Sequence, residues 1–151
     1  MARAPFNVLV YPCYLVGDEF EYAVFKRSDA GFWQGVAGGG EDKETPLEAA
    51  RRETCEETGI PVDSKFIKLD TVGPVPVTEF SVSHIWGENV FVIPQYGFGV
   101  LVNTRDIHLS REHTEYRWLK YQNARDLIKF DDSKIALWEL DRRLRGLGPR
   151  D

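Results

Sequence analysis

The sequence has few of the features that mark several broad classes of protein. It contains two cysteines, Cys13 and Cys55, among 151 residues. Two cysteines are too few for a disulfide framework, and their separation fits no zinc motif. No apolar run approaches the roughly 18 residues of a membrane span, and the N-terminus lacks the pattern of a secretory signal peptide. We therefore expect plain thiols in a reducing compartment and a cytoplasmic protein.

The chain also lacks an excess of positive charge. It carries 24 acidic and 19 basic side chains, for a net charge of −5. The composition thus lacks the excess of basic residues that is typical of proteins that bind duplex nucleic acid. A small molecule is the expected partner. The length and the 42% hydrophobic content fit one domain over residues 1–151, with 146–151 as a frayed tail. The oligomeric state stays open, a homodimer included.

Hydrophobic periodicity predicts strands and helices in a definite order along the chain. Residues that alternate or form short apolar runs predict strands, and apolar residues at i, i+3 and i+4 predict helices. The predicted strands are 6–16, 21–26, 32–36, 64–77, 90–102 and 116–120, and the predicted helices are 46–58, 122–129 and 133–145. This order is typical of an α+β protein, or of helices packed around a mixed sheet. Residues 79–87 remain ambiguous, and the glycines at 38–40 predict a loop.

The helix predicted at 46–58 has complete start and stop signals. Thr45 is a good N-cap, and Glu48 follows at the spacing of a capping box. Pro46 occupies the first helical position, where its missing N–H costs nothing. Gly59 suits the left-handed position just past the end. These signals fix the orientation of the side chains that the helix carries.

Three glutamates, Glu53, Glu56 and Glu57, are spaced i, i+3 and i+4 and therefore share one face of this helix. Like charges at that spacing repel one another. Mg²⁺ or Ca²⁺ would remove the penalty, because both ions prefer oxygen ligands. The alternative is a solvated acidic face supported by a Glu48–Arg52 ion pair.

The full spacing around these acids resembles the signature of a known family. The segment reads G-x5-E-x7-R-E-x-x-E-E-x-G followed by an apolar residue, at Gly38, Glu44, Arg52, Glu53, Glu56, Glu57, Gly59 and Ile60. It resembles the Nudix box of hydrolases that cleave nucleoside diphosphates linked to another group. The resemblance implies an α/β/α sandwich with a mixed β-sheet and a catalytic loop-helix-loop. It also implies a pyrophosphohydrolase that depends on Mg²⁺, for which Mn²⁺ can substitute.

The resemblance assigns roles to the residues of the box. Glu56 and Glu57 would be the main metal ligands, and Glu53 would be a further ligand or the base that orients water. Arg52 would hold the catalytic carboxylate by a charge-assisted hydrogen bond. Glu44, at the start of the turn from the loop into the helix, would not bind the metal but would hold the metal-binding residues in position.

Further candidate residues lie outside the helix. A segment E-H-x-x-Y-x-W-L begins at Glu112 and is similar to one in several Nudix subfamilies, where this glutamate is a base or a ligand; the alternative is an exposed loop acid. Arg27 is the candidate for contacting phosphates, and Gly38 and Gly39 would let the backbone approach them. Trp33 would stack on a flat ring of the substrate, unless it is a core residue.

The substrate and the alternative function follow from weaker similarities. The F-W-Q segment at 32–34 and the C-terminal part resemble the subfamily that hydrolyses dihydroneopterin triphosphate, and similar segments occur in diadenosine polyphosphate hydrolases. A nucleoside triphosphate remains a third class of substrate. The alternative is a non-catalytic Nudix-fold module that binds a nucleotide and regulates. Such modules generally lose the acids of the box, which this chain retains.

Overall fold

A computed structural model of the chain describes residues 3–150. These residues form one seven-stranded sheet and three helices. The strands are β1 (Arg3–Val16), β2 (Glu19–Arg27), β3 (Trp33–Gln34), β4 (Val36–Glu41), β5 (Lys65–Pro76), β6 (Val92–Val102) and β7 (His113–Lys120), and the helices are α1 (Pro46–Thr58), α2 (Tyr121–Leu127) and α3 (Asp131–Leu144). Two short 3-10 turns follow β5: Val77–Glu79, which starts at the last residue of the predicted strand 64–77, and Ser83–Trp86, which lies within the ambiguous stretch 79–87.

Strand β1 is the centre of the sheet. It pairs antiparallel with β2 and β4 and parallel with β6. The order along the sheet is β3-β2-β1-β6-β5, while β4 lies on β1 and β7 lies on β2. Parallel and antiparallel pairs occur together, so the predicted mixed sheet is confirmed.

The core lies on both faces of this sheet. Alternate residues of a strand point to opposite faces, and β1 shows it directly. Val8 and Val10 join the cluster that contains Ala49 of α1. Leu9 and Tyr11 join the cluster formed with α2 and α3. Helices therefore cover both faces, as the predicted α/β/α sandwich requires.

The predicted loop at residues 38–40 is wrong, because all three glycines lie inside strand β4. A Cβ atom on these residues would overlap, in order, the carboxylate of Glu53, the guanidinium of Arg3 and the ring of Phe6. The glycines are thus required by side chains from other elements that pack on the strand. Sequence spacing alone did not indicate those neighbours.

Helix α1 begins and ends where its caps predict. The hydroxyl of Thr45 accepts from the N–H of Glu48 at 3.2 Å, and the Glu48 carboxylate accepts from the N–H of Thr45 at 2.8 Å. Gly59 adopts a left-handed conformation with φ of 79°. Because Glu48 serves the cap, it does not form the expected pair with Arg52, which contacts other acids.

Part of the tail predicted to fray is attached to α3. The N–H of Leu147 donates to the carbonyl of Arg142 at 2.9 Å. The guanidinium of Arg142 in turn donates to the carbonyl of Gly148 at 2.8 Å. Asp151 lies outside the described residues. Within residues 3–150, none of the helices is both long and apolar enough to cross a membrane.

Candidate active site

Arg52 connects α1 to the end of strand β4. Its Nε and Nη2 donate to the two carboxylate oxygens of Glu44 at 2.8 and 2.9 Å, and Nη2 also donates to the carbonyl of Gly39 at 2.8 Å. This fork raises the pKa of Arg52 and lowers that of Glu44. Arg52 is therefore charged and fixed, and Glu44 holds it in place.

The same guanidinium holds Glu53. Nη1 of Arg52 donates to Oε1 of Glu53 at 3.0 Å, and the Glu53 side chain is only 14% exposed. Burial raises the pKa of Glu53 to about 7, against the opposing effect of Arg52 and with a further contribution from the charges of Glu56 and Glu57. The carboxylate lies against Gly38. It is a buried acid that can exchange a proton near neutral pH.

Glu57 is held by the loop that precedes β7. The hydroxyl of Ser110 donates to Oε2 of Glu57, and the N–H of Ser110 donates to the Glu57 carbonyl at 3.2 Å. Burial raises the pKa of Glu57, with a contribution from the nearby charges of Glu112 and Glu56. Sequence reasoning missed Ser110, since no local pattern shows that this loop docks on the end of α1.

The three acids of α1 do not converge in this conformation. Nη1 of Arg52 contacts Glu56 at 3.3 Å as well as Glu53, while Glu57 turns to Ser110. Within residues 3–150, no three His, Cys, Asp or Glu side chains are arranged to hold a metal ion. Their convergence on one ion remains a prediction.

The donor chemistry nonetheless fits Mg²⁺. All three side chains supply oxygen ligands, which Mg²⁺ prefers. The negative charges repel one another: Glu56 and Glu57 raise the pKa of Glu53, and Glu56 raises the pKa of Glu57. A divalent cation would compensate this repulsion.

His113 lies beside these acids with a buried imidazole. Its Nδ1 is 3.6 Å from Oε2 of Glu57, and its ring packs 5.3 Å from the ring of Phe25. Neither ring nitrogen has a hydrogen-bond partner within residues 3–150. Burial, and then the charge of Arg27, lowers the pKa of His113 to about 4. The lowered pKa favours the neutral ring, which is buried beside Glu57 without a side-chain hydrogen bond within residues 3–150.

A cleft of about 350 Å³ opens beside strand β4. Four predicted site residues line it, namely Arg27, Gly38, Gly39 and Glu112. The end of β2, which carries Arg27, is linked to the loop that carries Glu112, because the N–H of Ser28 donates to the carbonyl of Glu112 at 2.8 Å. The fold thus brings the basic candidate and the loop acid to one opening.

Two guanidinium groups line this cleft. Arg27 is held by both carboxylate oxygens of Asp29, at 2.9 and 2.8 Å, which raises its pKa. Arg3 was missed by the sequence analysis. It donates to the carbonyl of Phe6 at 2.8 Å and lies 5.1 and 5.5 Å from the ring centres of Phe80 and Trp86. Nothing local marked Arg3 as a cleft residue, because Phe80 and Trp86 lie far from it along the chain.

Trp33 is not among the residues that line the cleft. It packs beneath the guanidinium of Arg117, 4.8 Å from the ring centre, and against the core formed with α2 and α3. Its neighbours Phe32 and Gln34 line the cleft instead. Strand alternation sends adjacent side chains in opposite directions, so the position expected of Trp33 is taken by Phe32.

A family comparison agrees with this geometry. The NUDIX domain family matches residues 10–138, most of the chain. The chain belongs to the Nudix family. The matched residues include all of β4 and α1.

Two curated enzymes and one protein of known structure are similar to this Nudix protein over most of its length. It is 32% identical over 114 residues to dihydroneopterin triphosphate diphosphatase of Escherichia coli, covering 74% of this chain and 76% of that enzyme. It is 30% identical over 120 residues to the asymmetrical bis(5'-nucleosyl)-tetraphosphatase of Rattus norvegicus, covering 79% and 77%. A Listeria monocytogenes protein classed as a NUDIX hydrolase superimposes with a TM-score of 0.85 at 38% identity, covering 95% of this chain and 96% of that one.

One further relative is much longer than this Nudix protein. An octanoyltransferase of Myxococcus xanthus is 30% identical over 105 residues. That match covers 66% of this chain but only 26% of the octanoyltransferase. The matched segment therefore corresponds to about a quarter of that relative.

Proposed function

We propose that this Nudix protein is a Mg²⁺-dependent pyrophosphohydrolase that cleaves a phosphoanhydride bond of a small cytoplasmic substrate by attack of water on phosphorus. The observation that carries the proposal is the pair formed by Glu53 and Arg52 beside the cleft. A carboxylate that is 14% exposed and held 3.0 Å from a fixed guanidinium is costly to maintain. Such a group is typical of a catalytic site.

The acids of α1 have two roles, metal binding and acceptance of a proton. Glu56 and Glu57, with Glu53 as a further ligand, would hold the metal. When bound, the ion supplies neutralisation of the phosphate charge. As the base, Glu53 accepts a proton from the attacking water, a role suited to a carboxylate that is 14% exposed and oriented by Arg52. Glu112 is the alternative base.

The basic residues of the cleft bind the polyphosphate. Arg27 and Arg3 are both held by other groups, so their guanidinium planes are ordered before a ligand arrives. A guanidinium recognises phosphate oxygens through two parallel N–H donors. Gly38 and Gly39 leave the strand backbone accessible in the same cleft. Together these groups orient a chain of phosphates next to Glu53.

A substrate panel tests the proposal. Phosphate and pyrophosphate release should be measured from nucleoside triphosphates, dinucleoside tetraphosphates, nucleotide sugars and dihydroneopterin triphosphate, with Mg²⁺ and with EDTA. We expect hydrolysis of at least one class, lost in EDTA and restored by Mg²⁺ or Mn²⁺. The Glu53→Gln variant, purified identically, controls for contaminating phosphatases. Absence of hydrolysis across the panel, or hydrolysis unaffected by EDTA, would overturn it.

A further inference from the structure

Glu57 differs from the other two acids of α1 because no basic residue pairs with it. Its side chain is 7% exposed. Within residues 3–150 no lysine or arginine forms an ion pair with its carboxylate, whereas Arg52 contacts both Glu53 and Glu56. A buried charge is costly unless it is paired or coordinates a metal ion. Of the three acids, Glu57 therefore depends most on a cation for compensation of its charge.

The two oxygens of the Glu57 carboxylate have different surroundings. Oε2 accepts from the hydroxyl of Ser110 and lies 3.6 Å from Nδ1 of His113, which is too far for a hydrogen bond. Oε1 accepts no hydrogen bond within residues 3–150. Carboxylates that ligate metal ions are themselves hydrogen-bonded by neighbouring groups. This arrangement leaves Oε1 as the oxygen for an ion.

Ser110 also fixes the loop that carries Glu112. Its hydroxyl oxygen accepts from the N–H of Glu112 at 3.2 Å, and its own N–H donates to the carbonyl of Glu57 at 3.2 Å. Farther along the loop, the hydroxyl of Ser28 donates to the carbonyls of Arg111 and Glu112 at 2.9 and 3.0 Å. The loop is therefore held at two points. The Ser110 hydroxyl is in place before a ligand arrives, which lowers the ordering cost of binding.

We infer that Ser110 is a positioning residue for the divalent cation: its hydroxyl holds Oε2 of Glu57 so that Oε1 can bind the ion, and it keeps Glu112 in a fixed place nearby. The inference rests on the proposed function for the presence of the ion. It also identifies the acid that moves when the ion binds. Glu57 keeps its contact with Ser110, and Glu56, whose side chain is 56% exposed, leaves Arg52.

Binding of Mn²⁺ in the absence of substrate tests this inference, because it does not depend on turnover. Free Mn²⁺ should be measured by electron paramagnetic resonance during a titration of the full chain. We expect Ser110→Ala to raise the Kd for Mn²⁺ by about 10- to 100-fold, the usual effect of losing a group that supports a metal ligand. Ser110→Thr keeps the hydroxyl and should retain most of the wild-type affinity. Unchanged affinity in Ser110→Ala, or an equal loss in a folded Ser110→Thr, would overturn the inference.

A double-mutant cycle shows whether Ser110 acts through Glu57. Glu57→Gln removes the charged ligand oxygen, so its affinity for Mn²⁺ should fall. Because the remaining amide no longer needs to be oriented toward the ion, adding Ser110→Ala to this variant should cause little further loss. If the two losses instead multiply in the double variant, Ser110 acts by another route and the inference is wrong.

Ser28→Ala is the matched control for the order of the loop. It removes the second attachment of the loop without removing a contact to Glu57. It should therefore keep the wild-type affinity for Mn²⁺. Urea unfolding of each variant shows whether the fold is retained. If Ser28→Ala weakened Mn²⁺ binding as much as Ser110→Ala, loop order rather than the hydroxyl would control the affinity, which would refute the inference.

The outcomes distinguish this inference from the proposed function. If Ser110→Ala binds Mn²⁺ more weakly than the wild type but no compound of the panel is hydrolysed, the proposed function fails and the inference stands. Hydrolysis that depends on Mg²⁺, together with equal Mn²⁺ affinity in the wild type and Ser110→Ala, leaves the hydrolase and removes the inference. Absence of Mn²⁺ binding by the wild type contradicts both.

Discussion

Replacing Glu53 by glutamine is expected to lower kcat by about 10²- to 10⁴-fold, the usual contribution of a positioned acid or base. The amide keeps the shape of the side chain but can neither accept the proton nor supply a negative oxygen. Stability should not fall, since burying a neutral amide costs less than burying a carboxylate. Steady-state kinetics on the best substrate of the panel, with urea unfolding of both proteins, measures both quantities.

A matched control makes this result specific. Glu88→Gln removes the same charge from an exposed residue, so its kcat should equal that of the wild type. If Glu53→Gln turns over substrate as fast as Glu88→Gln at saturating Mg²⁺, Glu53 has no part in catalysis.

The second large effect concerns Arg52. Replacing it by alanine leaves Glu44 and Glu53 without their shared partner, and both side chains are less than one-fifth exposed. Removing one partner of a buried ion pair costs about 3 kcal/mol of unfolding free energy. Because Glu53 also loses its orientation, kcat should fall by at least about 10- to 100-fold. Urea unfolding and steady-state kinetics test the two parts separately.

Arg51 provides the control for this variant. It lies on the same helix but donates to the carbonyl of Ser64 at 2.9 Å and stacks on Phe66. Arg51→Ala should therefore lower stability without lowering kcat. If Arg52→Ala likewise lost stability but retained kcat, Arg52 would be a structural residue only. Arg52→Lys should restore the positive charge but not the paired hydrogen bonds to Glu44. It should therefore restore only part of the kcat that Arg52→Ala loses.

Local signals were sufficient for α1 and for the fold class. Thr45, Pro46 and Gly59 determine the helix ends through contacts within a few residues, so the sequence predicts them reliably. The helix period alone predicts that Glu53, Glu56 and Glu57 share one face. The mixed sheet and its two helical layers agree with the family resemblance, although the pattern of strands and helices left the exact architecture open.

The remaining parts of the site depend on contacts between distant residues. The glycines of β4 lie in a strand because β4 pairs with β1, and the side chains of Arg3 and Phe6 occupy the space beside Gly39 and Gly40. Alternation showed that Phe32 and Trp33 point in opposite directions, but not which one faces the cleft. The docking of Ser110 on Glu57 depends on the path of a loop, which has no periodic signal.

The convergence of Glu53, Glu56 and Glu57 on one divalent ion is the central claim, and crystals soaked in Mn²⁺ test it most directly. Anomalous diffraction would locate the ion without reference to activity. We predict a peak within about 2.0–2.3 Å of a carboxylate oxygen of at least one of these residues, with Glu57 turned away from Ser110 or Glu56 away from Arg52. A fully occupied Mn²⁺ peak that contacts none of the three carboxylates would contradict it.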